Sequence, residues 1–541
     1  MRNPRFFPAL VAAVLVGALA GGLFGSKALA RQDRVAEKYQ LFTTALSEVQ
    51  ANYVEKLPSD RLVYSAIDGL LKQLDPHSSF MDPRTYAQLR ERQEGRYYGL
   101  GISILVTDGD ITVMGLFEGS PAYSKGIRRG DIIARIEGQD TKGWTSDQAV
   151  RKLRGPKGTS VNISIKRSGY DGLIDMSVER DEINIPTVRT AFMLDKDTGY
   201  IRQQDFSETT DDEVGRALKS LTEQGMKKLV YDLRDNPGGP LDQAIRVANR
   251  FLQRGQKIVY TRGRVDNSDV DYVATEVSEY TDLPLVVLVN RNTASASEIV
   301  SGALQDHDRA LIVGETTFGK ALVQSVYRIS MNAGLALTTG RYYTPQGRMI
   351  QRPWDNAFDE YLTYTLRDQP EVERPHNAAD LRYTDGGRKV YSGGGIEPDR
   401  HIAGPVEGFN PTRFARSLYA RQMFQNFAER FTAEGDTRIV GNGNAKNRRT
   451  VRRGFTISDD EIAEFKQYLI DQKVRMDEDA FAKDKEFIRA MIKYEVDVAL
   501  FGAEEARRNL IRQDPQAQTA MTLFGDAERL TAMARARAAA K

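Results

Sequence analysis

Two side chains of this sequence could together carry out acyl-transfer chemistry. Ser295 stands in Asn292-Thr293-Ala294-Ser295-Ala296-Ser297-Glu298-Ile299-Val300, a run of small residues that opens an apolar helical segment. Lys320 follows 25 positions later, in Phe318-Gly319-Lys320-Ala321-Leu322-Val323-Gln324. A serine hydroxyl is a poor nucleophile at neutral pH and needs a base. Histidine is a weak candidate for that base. His307 is twelve residues from Ser295, which on one helix is about 18 Å along the axis. Nothing in the sequence places His401 near the serine. A lysine must be neutral to accept a proton, and bringing it from about 10.4 toward neutrality costs about 4 kcal/mol. Burial among apolar groups has that effect, and the neighbours of Lys320 are apolar with nothing acidic. Gln324 is four residues further on. If the segment is helical, its amide shares a face with the lysine and could hold the amine without protonating it. Asp306, eleven residues after Ser295, reads either as a more remote support for the site or as a polar residue near a helix end.

Acyl chemistry also needs backbone N–H groups aimed at a developing oxyanion. One source is the amide of Ala296 at a helix N-terminus, where the dipole favours an anion. Another is Asp232-Leu233-Arg234-Asp235-Asn236-Pro237-Gly238-Gly239, a strand running into a Pro-Gly-Gly turn.

The segments around these residues divide the chain into an N-terminal signal or anchor (1–30), a helical region (31–92), a PDZ-like domain (93–182), an α/β core (183–404) and a C-terminal helical extension (405–541). In the helical region Tyr39, Phe42, Leu46 and Val49 recur at helical spacing. It ends in Leu74-Asp75-Pro76-His77-Ser78-Ser79-Phe80, where Pro76 disfavours helix at Asp75. His77 could be catalytic, but a lone histidine at a turn is more often structural. From 95 to 180, short alternating segments predict strands at Gly101–Val106, Asp110–Leu116, Asp131–Glu137 and Ser160–Arg167, with a helix near Ser146–Leu153. Tyr98, Gly99, Leu100, Gly101 and Ile102 place glycines just before a strand. Free N–H groups there suit a peptide carboxylate, and the strand edge can pair with an extended tail. From 185 to 350 strands alternate with helices: Lys228–Leu233 and Pro284–Asn290 read as strands of a sheet buried on both faces, and Thr209–Gln224 as a helix. In the extension Ser458–Glu461 is a capping box, followed by helical stripes. That region reads as a module for packing or assembly, with a second copy or an adaptor as its partner.

Composition narrows the classes. The 541-residue chain has no cysteine, which excludes disulfides, thiolate metal sites and a cysteine nucleophile. Four histidines argue against a histidine-rich metal site, and a net charge of +2 gives no reason to expect nucleic acid. No cofactor or metal is called for. Arg2 and Arg5 precede an uncharged run of 21 residues from Phe6 to Ser26, and Ala28-Leu29-Ala30 fits a cleavage site. Both an uncleaved membrane anchor and a cleaved signal fit this run. The expected place is a bacterial cell envelope, either anchored in the inner membrane facing the periplasm or free in the periplasm.

Taken together these residues resemble the carboxy-terminal processing proteases, the tail-specific S41-type serine peptidases with a PDZ domain. The resemblance runs from about Tyr39 to Asp399. It rests on Leu74–Phe80, the Tyr98–Ile102 loop, Asp232–Gly239, Thr293–Glu298, Phe318–Gln324, Thr344–Arg348 and Gly394–Asp399, all in family order. It implies an ATP-independent endopeptidase that takes protein substrates with exposed C-termini. Ser295 is then the nucleophile, Lys320 the general base and Gln324 the lysine's partner. Gly238 or Gly239 with Ala296 forms the oxyanion hole, and Asp306 matches a supporting acidic position. The extension beyond 405 lies outside the common family core.

Overall fold

The computed structural model describes residues 36–167, 169–354, 358–366, 376–402, 411–428 and 451–540. The expected signal or anchor segment (1–30) and residues 429–450 of the C-terminal extension lie outside these. The chain divides into two compact units, residues 1–86 with 324–338, and residues 87–323 with 339–541.

In the smaller unit a helix covers 36–52. Its apolar stripe is exposed, with Tyr39 at 69% and Phe42 at 50% of full exposure. Helical periodicity therefore identified the element but not a buried face. The Leu74–Phe80 stretch is a turn closed by Asp75, whose carboxylate accepts the N–H groups of His77 and Ser78 and the Ser78 hydroxyl. His77 thus belongs to a turn built by its neighbours. Strand Ser79–Met81 then pairs antiparallel with Gly334–Ala336.

The larger unit begins with the PDZ sheet. Ile102–Thr107, Asp110–Leu116, Ile132–Ile136, Ser160–Lys166 and Ile174–Glu179 lie in that order. Helix Ser146–Leu153 is opened by a Thr145–Gln148 capping box. Alternation along the strands turns Ile111, Val113, Ile133, Val161, Ile163 and Val178 into one core.

The α/β core is a sheet of six strands in sequence order: β1 (Val188–Met193), β2 (Thr198–Gln203), β3 (Lys228–Asp232), β4 (Leu285–Val289), β5 (Leu311–Gly314) and β6 (Arg400–His401). All neighbours are parallel except β1 and β2. Helices α1 (Thr210–Glu223), α2 (Leu241–Asn249) and α3 (Ala296–Asp306) make the crossovers. Right-handed crossovers that always advance the same way put every helix on one face. Accordingly Val214, Leu218, Val247, Val300 and Ala303 pack against Ile201, Leu229, Tyr231, Val287 and Ile312.

That topology leaves the second face without crossover helices, and residues 503–540 supply the cover. Helices α4 (Ala503–Gln513), α5 (Pro515–Thr522) and α6 (Phe524–Ala539) bring Ile511, Ala517, Ala520, Phe524 and Ala527 onto Tyr200, Val230, Val286, Leu288, Leu311 and Val313. Each large side chain buried there contributes about 2 kcal/mol, so the end of the extension is part of the core. The earlier described portions, 411–428 and 451–501, form their own cluster around Phe424, Phe465 and Ile492. They touch the PDZ domain through an Arg129–Glu495 ion pair of 2.8 Å and an Arg129–Gln425 hydrogen bond of 2.7 Å. The Ser458–Glu461 capping box is present.

Candidate active site

The site is built at the ends of β3 and β4. Leaving β4, the chain turns through Asn290–Ala294 and enters α3 with Ser295 as the residue before its first turn. Ser295 has φ 56° and ψ −115°, a conformation that costs a non-glycine residue about 1–3 kcal/mol and survives only where its surroundings enforce it. Those surroundings are specific. The Thr293 hydroxyl donates to Leu233 O at 2.9 Å and accepts from Asn290 N–H at 2.9 Å. Asn236 O accepts from Ala294 N–H at 3.0 Å and from the Ser297 hydroxyl at 3.2 Å.

The turn after β3 presses against the serine from the other side. An alanine Cβ at Gly238 would lie 2.7 Å from both Ala294 O and Ala296 N, and 2.8 Å from Ser295 Cβ. Gly238 also has φ +91°, so glycine is required there both by space and by backbone. At Gly239 a Cβ would fall 2.4 Å from Phe206 O. The Gly238 N–H donates to Asn236 Oδ1 at 2.9 Å. Ala296, as the first residue of α3, has an N–H with no acceptor inside the helix.

Lys320 is half-buried, in the loop between β5 and strand Leu322–Arg328. One buried carboxylate joins this loop to the serine. Glu298 Oε2 accepts the N–H of Ser295 at 2.7 Å and of Lys320 at 2.9 Å. Its Oε1 accepts Gly319 N–H at 2.7 Å and the Thr317 hydroxyl at 2.5 Å. Burial pushes the Glu298 carboxyl up to about 7, although the donors from Thr317, Lys320, Ser295 and Gly319 oppose the rise. The phenol of Tyr342 sits between the carbonyls of Ser295, at 3.2 Å, and Lys320. Burial, with Glu298 beside it, raises that phenol well above its ordinary value. Arg352 donates to Phe318 O at 2.8 Å and Gly394 O at 2.7 Å. Ser295 and Lys320 are therefore gathered by a shared acceptor and a shared donor.

Glu298 and Tyr342 were not singled out from the sequence. The spacing Ser295-x-x-Glu298 was a usable signal, being the same capping pattern recognised at Ser458. No local signal marks Tyr342. Asp306 lies at the far end of α3, about 16 Å along an eleven-residue helix. There it forms a 2.6 Å ion pair with buried Arg348 and accepts Gln346 N–H at 2.9 Å. It braces the Thr344–Arg348 loop and is not brought to Ser295. Gln324 lies on the extended strand Leu322–Arg328, in the smaller unit. Helical i,i+4 spacing does not apply to it.

In the PDZ domain a groove of about 240 Å³ runs between the first strand and helix Ser146–Leu153. Leu100, Gly101 and Ile102 line it, facing Val150 and Leu153. Gly101 has φ +77°, and a Cβ there would strike Ser120. Tyr98 and Gly99 do not line the groove; the Tyr98 side chain is exposed and its hydroxyl donates to Glu182 at 3.3 Å. Arg154, missed in the sequence, lines the groove with its guanidinium 4.5 Å over the Tyr97 ring and an ion pair to Glu91.

Among the described residues no cluster of histidine and carboxylate side chains is placed to hold a metal, and no helix is long and apolar enough to cross a membrane. Residues 197–354 match the family model of peptidase family S41, and residues 88–166 that of the PDZ domain. A carboxy-terminal-processing protease of Bartonella bacilliformis is 40% identical over 315 residues, covering 57% of this chain and 72% of the relative. The carboxy-terminal processing protease CtpA of Bacillus subtilis is 33% identical over 392 residues, covering 72% and 81%. A carboxyl-terminal-processing protease of Synechocystis is 37% identical over 344 residues, covering 62% and 78%.

Proposed function

Because the chain belongs to the carboxy-terminal-processing proteases of peptidase family S41, we propose that it is an ATP-independent serine endopeptidase with Ser295 as nucleophile and Lys320 as general base. The observation that carries this reading is Glu298, whose single buried carboxylate binds the backbone of both residues. Ser295 Oγ attacks the carbonyl carbon of the scissile bond and its proton passes to Lys320 Nζ. The tetrahedral oxyanion is met by the N–H of Ala296 and one from the Gly238–Gly239 turn. Lys320 then returns the proton to the leaving amine. Water, activated by the Lys320 amine that is neutral again, attacks the acyl-enzyme carbonyl and releases the acyl group from Ser295 Oγ.

The substrate's C-terminal residue enters the groove between Leu100–Ile102 and Val150–Leu153, its tail pairing with the strand that begins at Ile102. The apolar lining selects an apolar C-terminal side chain, and Arg154 supplies positive charge near the carboxylate. The N-terminal sequence up to Ala30 supports a reading of the enzyme as one of the cell envelope.

The test is cleavage of an unfolded polypeptide ending in an apolar residue with a free carboxylate, beside the same chain amidated at its C-terminus. Wild-type enzyme is expected to cut the free-tailed form about tenfold faster, and Ser295→Ala to cut neither. Equal cleavage by wild type and Ser295→Ala would sink the nucleophile assignment. No cleavage by the wild type would favour a PDZ scaffold that no longer cuts. Indifference to amidation would sink the tail reading.

Gly238→Ala tests the turn. Its Cβ cannot be placed without moving Ala294, Ser295 or Ala296. The expected result is a fall in kcat of about 10²-fold, the scale of losing one oxyanion donor, with KM little changed. Wild-type kcat in this variant would remove the turn from the oxyanion hole.

A further inference from the structure

The C-terminal extension reaches the turn that holds Gly238. Arg234 lies in that turn, buried, two residues after Asp232. Its guanidinium binds the Asp232 carboxylate, with Nε at 3.0 Å from Oδ1 and Nη2 at 2.6 Å from Oδ2. Burial pushes Asp232 up, but the Arg234 and Arg202 charges bring it down to about 2. The other edge of the guanidinium is taken by the extension. Asp514 Oδ2 lies 2.6 Å from Nη2, and Gln516 Oε1 accepts from Nη1 at 2.7 Å.

Asp514 also ties this contact to the helices that cover the sheet. It stands immediately before α5, and its Oδ1 accepts the N–H groups of Gln516 at 2.9 Å and Ala517 at 3.3 Å. Gln516 in turn donates to Ile402 O at 3.2 Å, beside β6. From Asp514 a continuous path of short contacts runs through Arg234 to the turn. There Asn236 accepts from Ala294 N–H and holds the Gly238 N–H. A bidentate guanidinium fixed on both edges is a rigid brace, because its planar fork allows only one orientation that satisfies both carboxylates.

We propose that Asp514, with Gln516, is a positioning residue for the oxyanion turn, acting through Arg234. This makes the end of the extension part of the catalytic apparatus as well as a cover for the sheet. The proposal rests on the reading that the Gly238–Gly239 turn serves the oxyanion hole at Ser295.

The test uses the full chain carrying Asp514→Asn. Asparagine keeps the helix cap, being as good an N-cap as aspartate, while removing the charge that pairs with Arg234. Gln516→Leu is the second variant, removing the other acceptor without touching the cap. Steady-state cleavage of a tail-bearing peptide is measured with inhibition by a peptide aldehyde, which forms a tetrahedral adduct on a catalytic serine. Asp514→Asn is expected to lower kcat about tenfold with KM unchanged and to weaken aldehyde inhibition by a similar factor. Asp514→Glu is expected to recover part of the loss, and the thermal midpoint to stay near that of the wild type. Wild-type kcat and aldehyde affinity in both variants would overturn the proposal. So would a loss of activity that follows only the folded fraction. A wild-type enzyme that neither cleaves nor takes the aldehyde would instead overturn the Ser/Lys reading, so the two failures are distinguishable.

Discussion

Lys320→Ala is expected to lower kcat/KM by about 10⁶-fold, the scale seen when a serine nucleophile loses its base, while leaving the fold intact. The expectation follows from where the alternatives are. The chain has four histidines, and each is otherwise placed. His307, at the far end of α3, is held between Asp385 Oδ2 and Lys257 O, both at 2.7 Å. Burial lowers its proton affinity, but the Asp385 partner outweighs this and raises it. His376 stacks on Tyr391 at 3.6 Å and meets Glu397 at 3.0 Å. His401 is an exposed residue on the edge strand β6. His77 sits in the Asp75 turn of the smaller unit. Glu298 accepts from the N–H groups of Ser295, Gly319 and Lys320 and from the Thr317 hydroxyl, which commits its carboxylate to holding the two loops. The lysine side chain is half-buried on a loop whose backbone is fixed from three directions by Glu298, Arg352 and the Gly394–Gly395 strand of chain. A Cβ at Gly319 would fall 2.8 Å from Gly395 N. Lys320→Arg should be nearly as inactive as alanine, because a guanidinium does not give up its proton. The measurement is kcat/KM for the unfolded substrate with thermal melting of each variant. Retention of more than about a tenth of wild-type activity in Lys320→Ala would require another base.

What could be read from the sequence were features with a local signature. The PDZ strands alternate, their turns carry glycines, and Ser295, the proposed nucleophile, stands where small residues meet an apolar helix. Ser295 and Lys320 were read together because the lysine's sequence neighbours are apolar and no histidine is near in sequence, and the proposed mechanism rests on that reading. The groups that assemble the pair were not, because their partners are distant along the chain. Glu298 reads locally as a helix cap, and only the folded chain brings Thr317, Gly319 and Lys320 onto its other lone pairs. Asp306 looked like a support for the serine, yet the same helix that places Ser295 at one end carries Asp306 away to Arg348 at the other. The extension read as a helical module for packing or assembly, but the surface it packs on was not legible, for a similar reason. Its covering face is largely alanine, with Ala517, Ala520 and Ala527 around Ile511 and Phe524, a weak stripe by hydropathy. The strand order supplies the reason for that face. A sheet whose crossovers all fall on one side must find a cover for the other, and strand order is not written in any short motif.

Glu298→Gln is expected to lower kcat about 10³-fold and to change how stability depends on pH. The carboxylate is fully buried and accepts four hydrogen bonds. An amide can accept at only one of its two atoms. The substitution leaves two of the four donors facing an NH₂ group, at about 1–3 kcal/mol for each buried donor left unmet. Ser295 and Lys320 share the Oε2 acceptor, so whichever way the amide turns, either the Ser295 and Lys320 backbones or the Gly319–Thr317 pair lose their anchor. The pH argument is separate. The carboxyl is raised from 4.5 to about 7, chiefly by burial. Below pH 4.5 it is protonated in both folded and unfolded chains and contributes no pH dependence. Between 4.5 and about 7 the unfolded chain releases this proton while the folded chain keeps it, so stability falls as pH rises, by roughly 3 kcal/mol in all. Above that range both states are ionised and the contribution is level. Urea unfolding of wild type and Glu298→Gln, compared at pH 5 and pH 8, should therefore show the wild type losing more stability than the variant across the interval. A difference between the two proteins that is the same at both pH values would mean that the folded carboxyl titrates at its ordinary value. The same pair separates the two ionisations in catalysis. If Lys320 is the base, the rise of kcat/KM with pH persists in Glu298→Gln at reduced amplitude. A profile that becomes flat in the variant would assign that limb to Glu298 instead.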